Sequence, residues 1–202
     1  KPKGVMLSHK ALCLQTDMAY DIFPIDSDDC FLSILPMSHT YECSIGMLYP
    51  FSRGASVTYL DRPPTASVLI PAFRQIRPTI MLSVPLIIEK LFRSQVLAKF
   101  SSNAIWRWLY SKKWTRRKLH RIAGNKIYKV FGGRIRFFGI GGARLDSQTE
   151  QFLLDAKFPY AVGYGLTETA PLLAGMVWPK NRLQSTGWPM KHVQLRLDNV
   201  NP

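Results

Sequence analysis

The chain has 202 residues, 47% of them hydrophobic and 20% charged, which is the profile of a soluble globular protein and excludes a disordered or fibrous one. That length suits one domain or a large piece of one, and no apolar run approaches the roughly 20 residues that span a bilayer. The formal charge is +14, and fifteen basic residues with no Asp or Glu stand between Lys90 and Arg144, so that segment faces an anionic partner, acidic parts outside the sequence, or water.

Cys13, Cys30 and Cys43 are an odd number without CxxC spacing, which argues against a disulfide framework or a zinc site and reads as reduced thiols. The basic start Lys1–Lys3 is followed by no apolar signal core, so a cytoplasmic protein is expected.

Short apolar runs alternate with longer amphipathic ones, the mark of an α/β fold with a mainly parallel sheet. An apolar helix follows Ser8 and His9. Strands are predicted over 31–35, 55–60 and 79–84, with a helix over 65–74 after Pro63 and Pro64 and another over 85–100. Residues 103–131 read as long, helical and basic until Gly132 and Gly133 stop them. A strand over 134–140 then leads to a turn at Gly141 and Gly142. Asp146 or Ser147 caps the next helix, and a further strand covers 160–163. From near Ser185 the alternation of Val193, Leu195 and Leu197 indicates a separate β element.

Three places carry chemistry. Lys3 and Gly4 precede a helix start, where cation and free N–H groups converge on phosphate, or else Lys3 is a solvated terminal lysine. His39, in Leu35-Pro36-Met37-Ser38-His39-Thr40-Tyr41-Glu42, lies past a strand's C-terminal end, where α/β sheets bind ligands; a capping or core-edge histidine fits equally. Gly163-Tyr164-Gly165-Leu166-Thr167-Glu168-Thr169 puts a hydroxyl beside a carboxylate after a glycine-rich strand end. That suits a nucleotide phosphate with Mg²⁺, the carboxylate supplying a hard oxygen ligand; the other reading is a turn with a helix cap at Thr167.

These segments resemble the AMP-forming adenylating enzymes. Lys1-Pro2-Lys3-Gly4-Val5-Met6-Leu7-Ser8-His9 is similar to the second half of their phosphate loop, and Tyr164-Gly165-Leu166-Thr167-Glu168 matches their YGxTE signature. Gly141-Gly142-Ala143 resembles their GGA turn, and Ser185-Thr186-Gly187-Trp188-Pro189 their GxxGxP segment. The Leu35–Glu42 stretch and the basic insertion look most like long-chain fatty acyl-CoA synthetases.

The resemblance implies a three-layer parallel-sheet lobe of the N-terminal domain over 1–184, truncated at the phosphate loop, with a β subdomain beginning over 185–202. It implies ATP, Mg²⁺, coenzyme A and a fatty acid as cofactor and substrates. Thr167 would contact the α-phosphate, Glu168 would hold Mg²⁺, Tyr164 and Gly165 would lie at the adenine, Gly142 and Ala143 would border adenine and acyl chain, His39 would stand near the reacting carboxylate, and Lys3 and Gly4 belong to the phosphate loop. The first half of that loop, the ribose-binding Asp and the C-terminal lysine are not in the sequence, so an internal fragment, inactive alone, is expected.

Trp106, Trp108, Tyr110 and Trp114 alternate with cations in 103–131, which fits peripheral contact with an anionic membrane at its inner surface, or a solvated helix with inward rings. Other outcomes are a ligase for a shorter acyl or aryl acid, and a non-catalytic basic binding module. No nucleic-acid motif accompanies the charge, so no nucleic acid is expected.

Overall fold

The structure, a computed structural model, describes residues 4–196. Its sheet has seven strands: β1 Cys30–Ser33, β2 Ser56–Tyr59, β3 Ile80–Ser83, β4 Phe137–Ile140, β5 Tyr160–Gly165, β6 Leu172–Gly175 and β7 Trp188–Pro189. Their order is β2-β1-β3-β4-β5-β6-β7, with β1 to β5 parallel and the last two pairings antiparallel. Ile80 lies level with Phe31 on one side and Phe137 on the other. All four residues of β3 and of β4 are buried, which requires cover on both faces and accounts for their lack of polar alternation.

The cover comes from two groups of helices. Helix α1 (His9–Ile22) packs with a π-helical segment, Glu42–Leu48, that runs into α2 (Tyr49–Ser52). The other group holds α3 (Ala66–Ile76), α4 (Pro85–Leu91) continued through a π-helical Phe92–Leu97 into α5 (Ala98–Phe100), then α6 (Ala104–Ser111), α7 (Lys113–Val130) and α8 (Ser147–Ala156). Local sequence sets several starts. Ser8, Asn103 and Asp146 each accept a hydrogen bond from the backbone N–H three residues on, and Pro85 stands where a missing N–H costs nothing.

Aromatic rings fill the core between sheet and helices. Phe138 is fully buried, with Phe131 and Phe158 at centroid separations of 5.4 and 5.6 Å, and Phe23 stacks on Phe137 at 3.9 Å. Each such ring contributes about 1.5–3 kcal/mol by leaving water. Buried His120 joins three helices: its Nδ1 lies 2.9 Å from Asp155 Oδ2 and its Nε2 2.9 Å from the Tyr110 hydroxyl. Burial lowers its pKa although Asp155 pulls the other way. It is therefore neutral at pH 7, with Nδ1–H donating to the carboxylate and Nε2 accepting from the tyrosine.

The structure modifies the sequence reading at several boundaries. The helix over 85–100 contains a π-helical stretch, and the one over 103–131 breaks where Lys112 turns extended at ψ 123°. The strand predicted from Arg134 starts at Phe137, and the guanidinium of Arg136 just before it reaches back to Asp29. Strand β6 was not predicted. Near Ser185 the chain contributes β7, which pairs with β6 in the main sheet, and Val193 and Leu195 carry no strand; Leu197 lies outside the described residues.

Candidate functional site

Since β1, β3, β4 and β5 are parallel, their C-terminal ends open on one edge of the sheet, the edge at which open α/β sheets bind ligands. There β1 leads to the loop with His39, β4 to Gly141-Gly142-Ala143, and β5 runs through Tyr164 and Gly165 to a single 3₁₀ turn, Thr167–Thr169.

Between the ends of β4 and β5 lies a cavity of about 500 Å³ lined by Gly142, Ala143, Tyr164 and Gly165, together with Gln184 and Ser185. Four of the residues singled out from sequence thus line one cavity. Two of them need to be glycine. Gly142 has φ +84°, which other residues rarely adopt, and a Cβ at Gly165 would come within 2.0 Å of the Pro171 carbonyl oxygen. Tyr164 is 45% exposed, a flat ring free to cover a base.

Beyond the strand end, Thr167 and Glu168 are exposed, and neither side chain makes a hydrogen bond or ion pair among the described residues. The cap falls to Thr169 instead, whose Oγ1 accepts from Leu166 N at 3.1 Å and also lies 2.5 Å from the Pro171 carbonyl. The hydroxyl and the carboxylate are therefore left for an external partner. No group of three or more His, Cys, Asp or Glu among the described residues could hold a metal by itself. A lone exposed carboxylate such as Glu168 would offer Mg²⁺ one hard oxygen ligand, which suits an ion that takes one or two carboxylates beside phosphate.

The other predicted residues lie apart from the cavity wall. His39 is exposed on the same edge, its Nδ1 accepting from Tyr41 N at 3.2 Å. Gly4 is exposed and does not line the cavity, and Lys3 lies outside the described residues.

Sequence reasoning missed what holds the walls. Gln15 of α1 is buried and binds the loop behind Thr167–Thr169 through both ends of its amide. Across the cavity, buried Glu150 of α8 accepts from Gln184 N at 2.8 Å, from Gln184 Nε2 at 2.7 Å and from the Tyr160 hydroxyl at 3.3 Å. Gln184 in turn accepts from Arg144 at 2.8 and 3.0 Å, so one carboxylate ties the 184–186 loop to the turn after β4. A glutamate or glutamine on a helix gives no local sign of such distant partners; their charged or polar character at helix positions turned toward apolar neighbours was the available signal.

Comparison with known proteins bears on the family and the fold. Long chain acyl-CoA synthetase 1 of Arabidopsis thaliana is 32% identical over 222 residues, covering 99% of this chain and 33% of that protein. Long-chain-fatty-acid–CoA ligase 2 of Schizosaccharomyces pombe is 28% identical over 221 residues, covering 99% and 32%. The chain thus spans about a third of the length of these curated relatives. Among solved structures, an anthranilate CoA ligase in complex with anthranoyl-AMP superposes with a TM-score of 0.70 at 18% identity, covering 98% of this chain and 33% of that one. A benzoate CoA ligase from Burkholderia xenovorans LB400 gives 0.68 at 22%, covering 94% and 33%, and at such identities the likeness concerns the fold. The family described as AMP-binding enzyme matches residues 1–201, and the chain belongs to that family.

Proposed function

We propose that the protein carrying this chain activates a long-chain fatty acid with ATP and passes the acyl group to coenzyme A. The fatty carboxylate attacks the α-phosphorus of ATP, releasing pyrophosphate and giving acyl-AMP; the CoA thiolate then attacks the acyl carbonyl and AMP leaves. The observation that supports this best is the one cavity lined by Gly142, Ala143, Tyr164 and Gly165, with the uncommitted Thr167 and Glu168 following in the chain. Its long-chain preference rests on the names of the curated relatives.

In this reading the glycines let backbone approach the nucleotide, Tyr164 lies against adenine, and Ala143 borders base and acyl chain. The Thr167 hydroxyl donates to an α-phosphate oxygen, and His39 stands on the acyl side of the edge. Glu168 holds Mg²⁺, which when bound neutralises phosphate charge. Lys3 and Gly4 belong to the loop that meets the departing phosphates. Such a reaction is accelerated chiefly by positioning and charge neutralisation, which rigid backbone and a few polar groups supply. The 202 residues by themselves are proposed not to turn over, since they span about a third of the relatives' length.

The protein is proposed to work in the cytoplasm, with residues 103–131 in peripheral contact with the inner, anionic face of a membrane. No described helix is long and apolar enough to cross a membrane. The test of activity is ATP–pyrophosphate exchange in the protein carrying this chain, with palmitate, acetate and benzoate, followed by thioester formation with CoA. Exchange with palmitate is expected. Exchange with acetate or benzoate alone moves the substrate to a shorter or aryl acid, and none with any acid leaves a non-catalytic binding module.

A further inference from the structure

Glu42 is buried at 1% exposure on the π-helical segment Glu42–Leu48. Ser33, the last residue of β1, donates to its Oε1 at 2.5 Å, while Oε2 is buried without a partner among the described residues. The carboxyl lies over Gly46, so close that a Cβ there would come within 2.7 Å of Glu42 Cδ. Single π-helical turns insert a residue at a cost and concentrate where a side chain must be aimed. Here the aimed residues immediately precede the segment. The Tyr41 ring rests on the end of β4: a Cβ at Gly139 would stand 2.7 Å from its hydroxyl, and one at Gly141 3.2 Å from its ring. Tyr41 N in turn donates to His39 Nδ1 at 3.2 Å.

We propose that Glu42, tied to Ser33, is a positioning residue that seats the π-helical segment on the C-terminal end of β1 and thereby fixes Tyr41 against the Gly139–Gly141 segment and His39 beside the substrate carboxylate. The last part rests on the acid-activating function proposed above. Burial raises the Glu42 carboxyl to about 7, against the opposing Ser33 hydrogen bond. The ionisable groups around it are Tyr41 just before its segment, Cys43 on it and Tyr59 on β2. On α1 and beyond α2, which pack on the same segment, Asp17 and Arg53 pair with each other at 3.2 Å. Among the described residues no cation lies against Glu42. An ionised carboxylate accepts more strongly from Ser33, but its uncompensated charge is costly in this buried place, so the segment is seated best while the carboxyl keeps its proton.

Glu42→Gln keeps the shape and the contact with Ser33 but cannot titrate; Glu42→Ala removes the tie, and Gly46→Ala displaces the carboxyl. In the protein carrying this chain, Glu42→Gln is expected to stay within about threefold of wild type at pH 6.5 and to exceed wild type in kcat/KM for palmitate by about fivefold at pH 8.5. Glu42→Ala and Gly46→Ala are expected to raise KM for palmitate about tenfold while KM for ATP moves less than about threefold. A wild-type to Glu42→Gln ratio that does not change with pH, or equal rises in both KM values, overturns the proposal. Melting temperatures of the ligand-free proteins separate this from failure of the functional reading. The folded carboxyl keeps a proton that the unfolded one gives up, so wild type should fall behind Glu42→Gln as pH rises from 5 to 8. If that gap widens while neither protein activates any acid, the activity is wrong and the tie stands; a constant gap sinks the tie itself.

Discussion

Gln15 and Leu172 pair like neighbours in a sheet: Leu172 N donates to Gln15 Oε1 at 2.9 Å, and Gln15 Nε2 donates to the Leu172 carbonyl at 3.2 Å and to that of Thr169 at 3.0 Å. A side chain of the first helix thereby braces the loop that presents Thr167 and Glu168, bonding residues 154 and 157 positions further along. Gln15→Ala leaves buried backbone groups unpaired, each costing about 1–3 kcal/mol, and should lower unfolding free energy by about 2–3 kcal/mol in denaturant melts. It should also raise KM for ATP more than KM for the fatty acid. A change below about 0.5 kcal/mol would show that the loop holds itself.

The side chains of Thr167 and Glu168 make no hydrogen bond or ion pair among the described residues, so truncating either costs the fold little that the structure reveals. Thr167→Ala and Glu168→Ala are each expected to slow adenylation in the protein carrying this chain by about 10²-fold or more, the cost of one oriented transition-state contact. Melting temperature should be unchanged. Wild-type exchange rates in both variants would remove the pair from the site.

At the opposite edge of the sheet, Asp29 joins the starts of β1, β3 and β4. Arg136 Nε donates to its Oδ1 at 2.7 Å, as does the Thr79 hydroxyl at 2.7 Å, and a second Arg136 nitrogen reaches Oδ2. Burial alone would raise the carboxyl, but Arg136, Thr79 and the Asp26 backbone outweigh it and hold its pKa below the ordinary value. A depressed folded pKa gives stability that is present above the unfolded value near 3.9 and is lost as pH falls through the folded one. Asp29→Asn should therefore cost about 2 kcal/mol at pH 7, the loss of charge-assisted hydrogen bonds from a half-exposed arginine, and progressively less below pH 4. Equal acid dependence in the two proteins would assign acid unfolding to other carboxylates.

Much of this arrangement was legible because it is local. The strand-end glycines, the Thr167-Glu168 pair and the cap at Asp146 or Ser147 each need particular residue types within a few positions, and the sequence displays them. Strand β6 was not legible, since its apolar run over 172–178 shows no alternation and is short enough to suit a helix or a strand alike, and it gains its partners from β5 and from Gln15. The braces at Gln15, Glu42 and Glu150 escaped for the same reason: their partners lie in other elements, and an isolated polar residue on a helix reads as solvated. The break at Lys112 escaped because no glycine or proline marks it. It is fixed by contacts across the hairpin, among them the Tyr110–His120 hydrogen bond at 2.9 Å.

That hairpin decides how the basic segment is to be tested. Arg117 is engaged, with Nε 3.4 Å from Asp155, and Arg116 is half-buried near Tyr110 and His120, so neither reports cleanly on an outside partner. Lys118, Arg121 and Lys129 are exposed on one face of α7 together with Trp114, 68% exposed, and Ile122, 69% exposed. Lys118 lies over the Trp114 ring at 3.8 Å, and Trp108 on α6 is 62% exposed. Rings and cations presented together favour an anionic bilayer surface, where each cation contributes about 1 kcal/mol. Replacing Lys118, Arg121 and Lys129 with Gln should remove about 3 kcal/mol of binding, roughly a hundredfold, in co-sedimentation with phosphatidylserine-containing vesicles. Salt at 0.5 M should weaken wild type comparably, because the screening length shrinks to about 4 Å. Tryptophan emission should shift to the blue on adding those vesicles and stay put with neutral ones. Equal sedimentation of wild type and triple variant would eliminate the charged face as a membrane contact, and tighter binding to duplex DNA than to vesicles would assign the same face to nucleic acid.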